Sequence, residues 1–320
     1  MRLFVTGGLG FIGSNFIRLI LREHPDYRIT NFDKVTYAGN PASLADLVSD
    51  PRYSFIRGDI CDRKAVDLAL SNHPSDAIIH FAAESHVDRS ISDASGFVMT
   101  NVLGTQVLLD GAHRHKIPKF VHISTDEVYG SIPSGSFKET DILNPSSPYS
   151  ASKASSDLIA RAFFLTHGLP VIITRCTNNY GPYQFPEKLI PFFVTNLIQG
   201  KKVPVYGSGK NVRDWIYVLD HCRAIDLLIR KGTPGEIYNI GANNEKTNLA
   251  ITHGILNILK KDETCIEFVN DRPGHDWRYS LDSSKIRKLG WKPQSSFEDA
   301  LKQTVAWYLQ NEGWWQPLLQ

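Results

Sequence analysis

A chain of 320 residues is long enough for one large domain or two ordinary ones with a well-buried core. With 42% hydrophobic and 21% charged residues the composition excludes a disordered or fibrous protein, and a formal charge of +2 is too small a surplus to make nucleic acid its main partner. The four cysteines are scattered without metal-ligand spacing, and the chain opens on an apolar run and a glycine turn with no stretch near ~18 apolar residues, so no metal, a reducing compartment, a cytoplasmic location and no membrane partner are expected.

Short apolar runs alternate with amphipathic stretches. Strands are predicted at Leu3 to Thr6, Arg28 to Phe32, Ser54 to Arg57, Ala77 to Phe81, Phe120 to Ser124 and Val171 to Arg175, and helices at Ser14 to Arg22, Asp62 to Ser71, Asn101 to Arg114 and Ser150 to Thr166. That alternation is the mark of βαβ units, so the expected fold class is α/β, a Rossmann-type doubly wound parallel sheet. Asn178 to Pro191 and Val203 to Arg213 are rich in Gly, Pro, Asn and Tyr and mark a change of domain. A helix at Asp220 to Arg230 and a strand at Glu236 to Ile240 are expected to rejoin the first sheet. The partition is then a cofactor domain of residues 1–176 and 214–242 and a smaller, discontinuous α/β substrate domain of residues 177–213 and 243–320. The latter closes on a helix at Asp299 to Asn311, followed by Trp314 and Trp315.

After the first strand, Gly7-Gly8-Leu9-Gly10-Phe11-Ile12-Gly13 fits G-x-x-G-x-x-G from Gly7 and G-x-G-x-x-G from Gly8, and then opens a helix. Such glycines let backbone approach a pyrophosphate held at a helix N-terminus, where unpaired amides and the helix dipole favour negative charge. Asp33 ends the second strand, where a carboxylate can bind both ribose hydroxyls of NAD and repel the 2′-phosphate of NADP. Lys34 beside it keeps NADP open, and a plain glycine turn with Asp33 as a helix cap is the structural alternative. Asp59 and Ile60 follow the third strand; Asp59 either meets the adenine amino group or caps the next helix. Ala82 and Ala83 follow the fourth strand and either admit a cofactor or pack a tight turn.

Tyr149 and Lys153 form Y-x-x-x-K at the start of a helix, so both side chains share one face. Chance alone supplies about one such pair in a chain of this composition, and Tyr206 with Lys210 is a second match. The second pair sits in the turn Gly207-Ser208-Gly209, with no helix to hold the spacing. The Lys153 ammonium is expected to lower the Tyr149 pKa toward the working range of a base. Thr125-Asp126-Glu127 follows the fifth strand and emerges at the same sheet edge, where the two carboxylates serve either as one acid and one base or as a solvated acidic turn.

These residues lie within longer motifs: GGLGFIG from Gly7, DKVTYAGN from Asp33, AAESHVDRSI from Ala82, STDEVYG from Ser124, YSASKA from Tyr149, NNYGPYQFPEKLIP from Asn178, VRDW from Val212, NEKTN from Asn244 and RPGHDWRY from Arg272. Together they resemble the extended short-chain dehydrogenase/reductase family over nearly the whole chain, and within it the nucleotide-sugar 4,6-dehydratases. Thr177 and Trp277 depart from the family pattern, the second at fine substrate contacts.

The resemblance implies NAD as cofactor and a dTDP-glucose substrate, oxidised at C4, stripped of water across C5 and C6, and given its hydride back at C6. It implies that Thr125 and Tyr149 hold the glucosyl O4, Tyr149 acting as base with Lys153 on the nicotinamide ribose, while Glu127 removes the C5 proton and Asp126 protonates the departing hydroxyl. It adds Phe11, Ile12, Thr36, Thr100 and Asn179 to the cofactor contacts, Ser85 to both ligands, and Asn178, Lys188, Leu189, Pro204, Tyr206, Asn248, His275 and Tyr279 to the nucleotide sugar. Arg213 and Arg272 suit a diphosphate because a guanidinium pairs bidentately with phosphate oxygens. Arg213 could instead pair with Asp214, and His275 could cap a loop. The resemblance also implies a homodimer through helices near Val98 to His115 and Ser150 to Thr166. A nucleotide-sugar 4-epimerase, a dehydratase of another nucleotide sugar and an NAD-binding regulator are the alternatives, of which the epimerase and the regulator have no use for the acid/base pair.

Overall fold

The computed structural model describes residues 1–271 and 276–319, and among these the chain lays down twelve strands. Arg2–Thr6 (β1), Arg28–Asp33 (β2), Tyr53–Arg57 (β3), Ala77–His80 (β4), Phe120–Thr125 (β5), Val171–Cys176 (β6) and Ile237–Ile240 (β10) form a seven-stranded sheet. Its order is β10-β6-β5-β4-β1-β2-β3, every neighbour parallel. The order reverses at β1 and β4, and ligands of such sheets bind in the crevice at the carboxyl ends of the strands beside that reversal. Alternation along β1 buries both faces: Leu3 and Val5 join the core under helices Phe11–Glu23 and Val218–Lys231, while Phe4 joins the opposite core with Val66, Leu70, Leu108 and Leu109. Truncating Phe4 to Ala would cost about 3–5 kcal/mol.

Asn178–Tyr180 (β7), Val212–Tyr217 (β9) and Glu245–Thr247 (β11) form a three-stranded sheet, and Val203–Tyr206 (β8) pairs with Ile266–Val269 (β12). Asn178 to Pro191 and Val203 to Arg213, where the change of domain is expected, contain β7, β8 and the start of helix Leu189–Ile198. In that helix Pro191 occupies the first turn, where its missing N–H is not needed, and Ile190, Phe193, Val194 and Leu197 supply the buried stripe.

The helix carrying Tyr149 and Lys153 runs Pro148–His167, starting earlier than its apolar pattern. Ser147 and Ser150 cap each other reciprocally and Pro148 supplies a preformed first turn. The helix expected from Asn101 is α-helical only over Thr105–Arg114, and Val98–Gly104 is a π-helical turn. From that turn Asn101 bonds Glu84 and the Ser152 hydroxyl of the Tyr149 helix.

Candidate active site

The carboxyl edge of the sheet opens into three adjoining cavities. The first is bounded by Gly7, Gly10, Asp33, Lys34, Thr36, Asp59, Ile60, Ala82, Ala83 and Thr100. Gly7 has φ +71, and a Cβ on it would lie 2.5 Å from the Ala82 amide nitrogen, so glycine is needed for both conformation and approach. A Cβ on Gly13 would lie 2.3 Å from the Gly7 carbonyl. Gly7, Gly10 and Gly13 line the cleft, whereas Gly8 points its amide at the Asn31 side chain, which selects the spacing counted from Gly7. Helix Phe11–Glu23 begins at Gly10 without a side-chain cap, leaving its first amides for an anion.

Asp33 accepts from the Leu9 amide at 2.9 Å and the Val35 amide at 2.8 Å, so it holds the glycine turn as well as facing the cavity. Burial raises its pKa. Asp59 does not cap the next helix. Asp62 does, while Asp59 pairs with Lys34 at 2.7 Å, which occupies the cation that could have met a 2′-phosphate. A buried carboxylate, a cradle that a Cβ would fill and an uncapped helix start together fit a dinucleotide of the NAD type.

The second cavity contains Phe11, Ile12, Gly13, Ser85, Thr125, Asp126, Glu127, Tyr149, Lys153, Asn178 and Asn179. Thr125 ends β5 and caps the turn Asp126–Tyr129; its hydroxyl accepts from the Glu127 amide and donates to Asp126 Oδ1 at 3.2 Å. Asp126 is buried with Oδ2 unpartnered, and burial, then the neighbouring Glu127, raise its pKa well above the usual carboxylate range. Glu127 is half-buried and lines the adjoining third cavity too.

The expectation for Tyr149 is corrected. Its pKa is raised, first by burial and then by Glu127, rather than lowered by Lys153. The Lys153 ammonium donates instead to the Ile123 carbonyl at 2.7 Å, and burial brings its own pKa down to about 8. Cys176, which the sequence reading passed over, lines the same cavity; burial pushes its thiol up to about 12, so it is no nucleophile there.

The third cavity is lined by Ser85, Asn178, Lys188, Leu189, Pro204, Tyr206, Arg213, Asn248 and Tyr279. Phe192, Phe193 and Trp215 add an apolar wall; Trp215 closes the VRDW motif but was given no role, and Phe192 and Phe193 lie outside the motifs. Arg213 does not pair with Asp214. Its guanidinium donates to the Val212, Asp276 and Trp277 carbonyls and lies 4.3 Å over the Tyr279 ring, while Asp214 accepts from the Asn243 and Asn244 amides. Tyr206 meets this cavity from the end of β8, and no helix carries it together with Lys210. Arg272 and His275 lie outside the described residues. Among the described residues no cluster of three or more His, Cys, Asp or Glu is placed to hold a metal ion, and no helix is long and apolar enough to cross a membrane.

A doubly wound sheet with its glycine cradle at the switch point and a Tyr/Lys pair on the facing helix defines a short-chain dehydrogenase/reductase of the extended type. The comparisons agree. The profile described as GDP-mannose 4,6 dehydratase matches residues 4–304, and the chain belongs to that family. It is 54% identical to the dTDP-glucose 4,6-dehydratase of Streptomyces niveus, covering 99% of this chain and 96% of that one. Against the Escherichia coli dTDP-glucose 4,6-dehydratase it is 48% identical, covering 100% and 96%. Among solved structures, the dTDP-glucose 4,6-dehydratase DesIV of Streptomyces venezuelae, with NAD bound, superposes with a TM-score of 0.97 at 55% identity, covering 99% and 100%. The Thermus thermophilus UDP-glucose 4-epimerase shares the fold with a TM-score of 0.90 at 28% identity, covering 97% and 100%.

Proposed function

We propose that the chain is an NAD-dependent dTDP-glucose 4,6-dehydratase, a hydro-lyase. One observation carries the reading: two carboxyl groups in different surroundings, Asp126 buried and Glu127 half-buried, meet Thr125 and Tyr149 where the cofactor cavity opens into the sugar cavity. NAD, when bound, takes the hydride from C4 and returns it at C6. The protein's own groups do the rest. Thr125 holds the C4 oxygen, Tyr149 takes its proton, and Lys153 holds the nicotinamide ribose. Glu127 takes the C5 proton, made acidic by the C4 ketone. Asp126, whose burial favours the protonated form, gives its proton to the C6 hydroxyl, which leaves as water. Glu127 returns a proton to C5 as C6 receives the hydride, so atoms and electrons balance without an added reductant.

Residues 1–176 with 214–242 form the cofactor half in this reading, and 177–213 with 243–320 the sugar half. A cytoplasmic homodimer completes it, supported by exposed Val98, Met99 and Leu103 on one helical segment and Leu158 and Leu165 on the Tyr149 helix. A 4-epimerase would share the cofactor and the Tyr/Lys pair but would gain nothing from Asp126 and Glu127. The test is the product formed by purified protein from dTDP-glucose, compared with UDP-glucose, without added reductant. The 4-keto-6-deoxy sugar is expected, and an epimerised sugar without loss of water would overturn the reading.

A further inference from the structure

We propose that Tyr37, Arg89 and Glu187 form a staple across the cleft that governs how fast the dinucleotide leaves; this rests on the NAD reading above. Three segments remote in sequence meet at one carboxylate. The Tyr37 hydroxyl donates to Glu187 Oε1 at 3.2 Å, Arg89 donates to Oε2 at 3.2 Å, and the His86 imidazole lies 3.5 Å from Oε2. The Arg89 guanidinium also lies 3.8 Å over the Tyr37 ring, and Phe185 meets that ring edge-on at 5.4 Å. Cation, carboxylate and aromatic face thus satisfy one another in a closed triangle.

The placement gives the triangle its consequence. Ala38, next to Tyr37, lines both the first and second cavities, so the loop after β2 walls the passage between the adenosine and nicotinamide ends. Phe185, Glu187 and Lys188 wall the second cavity as well. These are the segments that the staple ties together. Arg89 is half exposed while Glu187 is 14% exposed, so the tie lies between solvent and cleft. For a dinucleotide to leave, the loop carrying Tyr37 must part from the segment carrying Glu187, and that breaks the triangle. The chemistry requires such retention, because a cofactor lost between taking and returning the hydride would strand the oxidised sugar.

The test is exchange of bound NAD for a fluorescent etheno analogue, in wild type, Tyr37→Phe, Arg89→Met and the double variant. Tyr37→Phe removes one hydroxyl and leaves the ring, so it is the variant least able to disturb folding. Each single change is expected to speed exchange at least about fivefold, as for loss of one charge-assisted bond that is partly solvated. Both act through Glu187, so the double variant should be little faster than the faster single one. Turnover at saturating NAD should stay within about twofold of wild type, since neither side chain touches the reacting atoms. Exchange within about twofold of wild type in both single variants, or effects that simply multiply in the double variant, overturns the staple. Exchange needs no turnover: faster exchange in a protein that makes no 4-keto-6-deoxy sugar overturns only the dehydratase reading, and normal product with unaltered exchange overturns only the staple.

Discussion

Lys153 donates its ammonium to the Ile123 carbonyl at 2.7 Å, one helical turn from the Tyr149 phenol it was expected to activate. Tyr149 is left among burial and carboxylates that resist its ionisation. These surroundings favour the neutral phenol. Tyr149→Phe is expected to slow the first hydride transfer by about 10²- to 10⁴-fold, the usual worth of a general base, with dTDP-glucose affinity nearly intact. Single-turnover absorbance of the reduced dinucleotide measures it, and normal turnover by the variant would remove Tyr149 from the role.

Glu127→Gln keeps size and hydrogen bonding but removes the carboxylate proposed as the C5 base. Oxidation at C4 should survive while loss of the C5 proton slows by about 10²- to 10⁴-fold, so the reduced dinucleotide should accumulate. In D₂O the wild-type product should carry deuterium at C5. Full dehydratase activity in the variant would exclude Glu127 as the base.

In the proposed mechanism Asp126 links catalysis to stability through its proton. Burial raises its folded pKa above the unfolded value of about 3.9, so the folded protein keeps a proton that the unfolded chain releases. The stability from that proton is complete below the unfolded value and is lost as pH rises through the folded one. Asp126→Asn cannot ionise and escapes the loss. It should melt above wild type at about pH 8, lose that advantage below about pH 4, and dehydrate at least about 10²-fold more slowly. Equal melting temperatures at both pH values would show that Asp126 does not carry the raised pKa.

Asp33→Ala frees the Leu9 and Val35 amides as well as the ribose side of the cavity. NAD affinity should fall by about 10- to 100-fold, as for one or two hydrogen bonds to a charged group, and the preference over NADP should shrink. The preference should not reverse, because Lys34 stays paired with Asp59. Titration with both dinucleotides checks this, and unchanged affinity for both takes Asp33 out of the site.

What the sequence by itself determined is what local spacing can carry. The glycine turn, Asp33 at the end of its strand, and Tyr149 with Lys153 a helical turn apart are each legible within a few dozen residues, because one strand, one turn or one helix sets their geometry. The same holds for the alternation that announced the parallel sheet. Helix Leu189–Ile198 was hidden because proline and glycine around it read as punctuation, although its apolar stripe is regular. The two Y-x-x-x-K matches looked alike in sequence, and only the Pro148–His167 helix packed beside β5 and β6 gives one of them a site.

Only the tertiary structure decided which charges are paired and which protons are held. Arg213 turned from its neighbour Asp214 to Tyr279 and three backbone carbonyls, Lys34 turned to Asp59, and Glu187 gathered Tyr37 and Arg89 from distant segments. The Tyr149 pKa moved opposite to the expected direction because of burial first and then Glu127, 22 positions earlier in the chain. Desolvation and charge act through space, so their sign at a residue is set by what the whole fold packs around it rather than by the residues beside it in the chain.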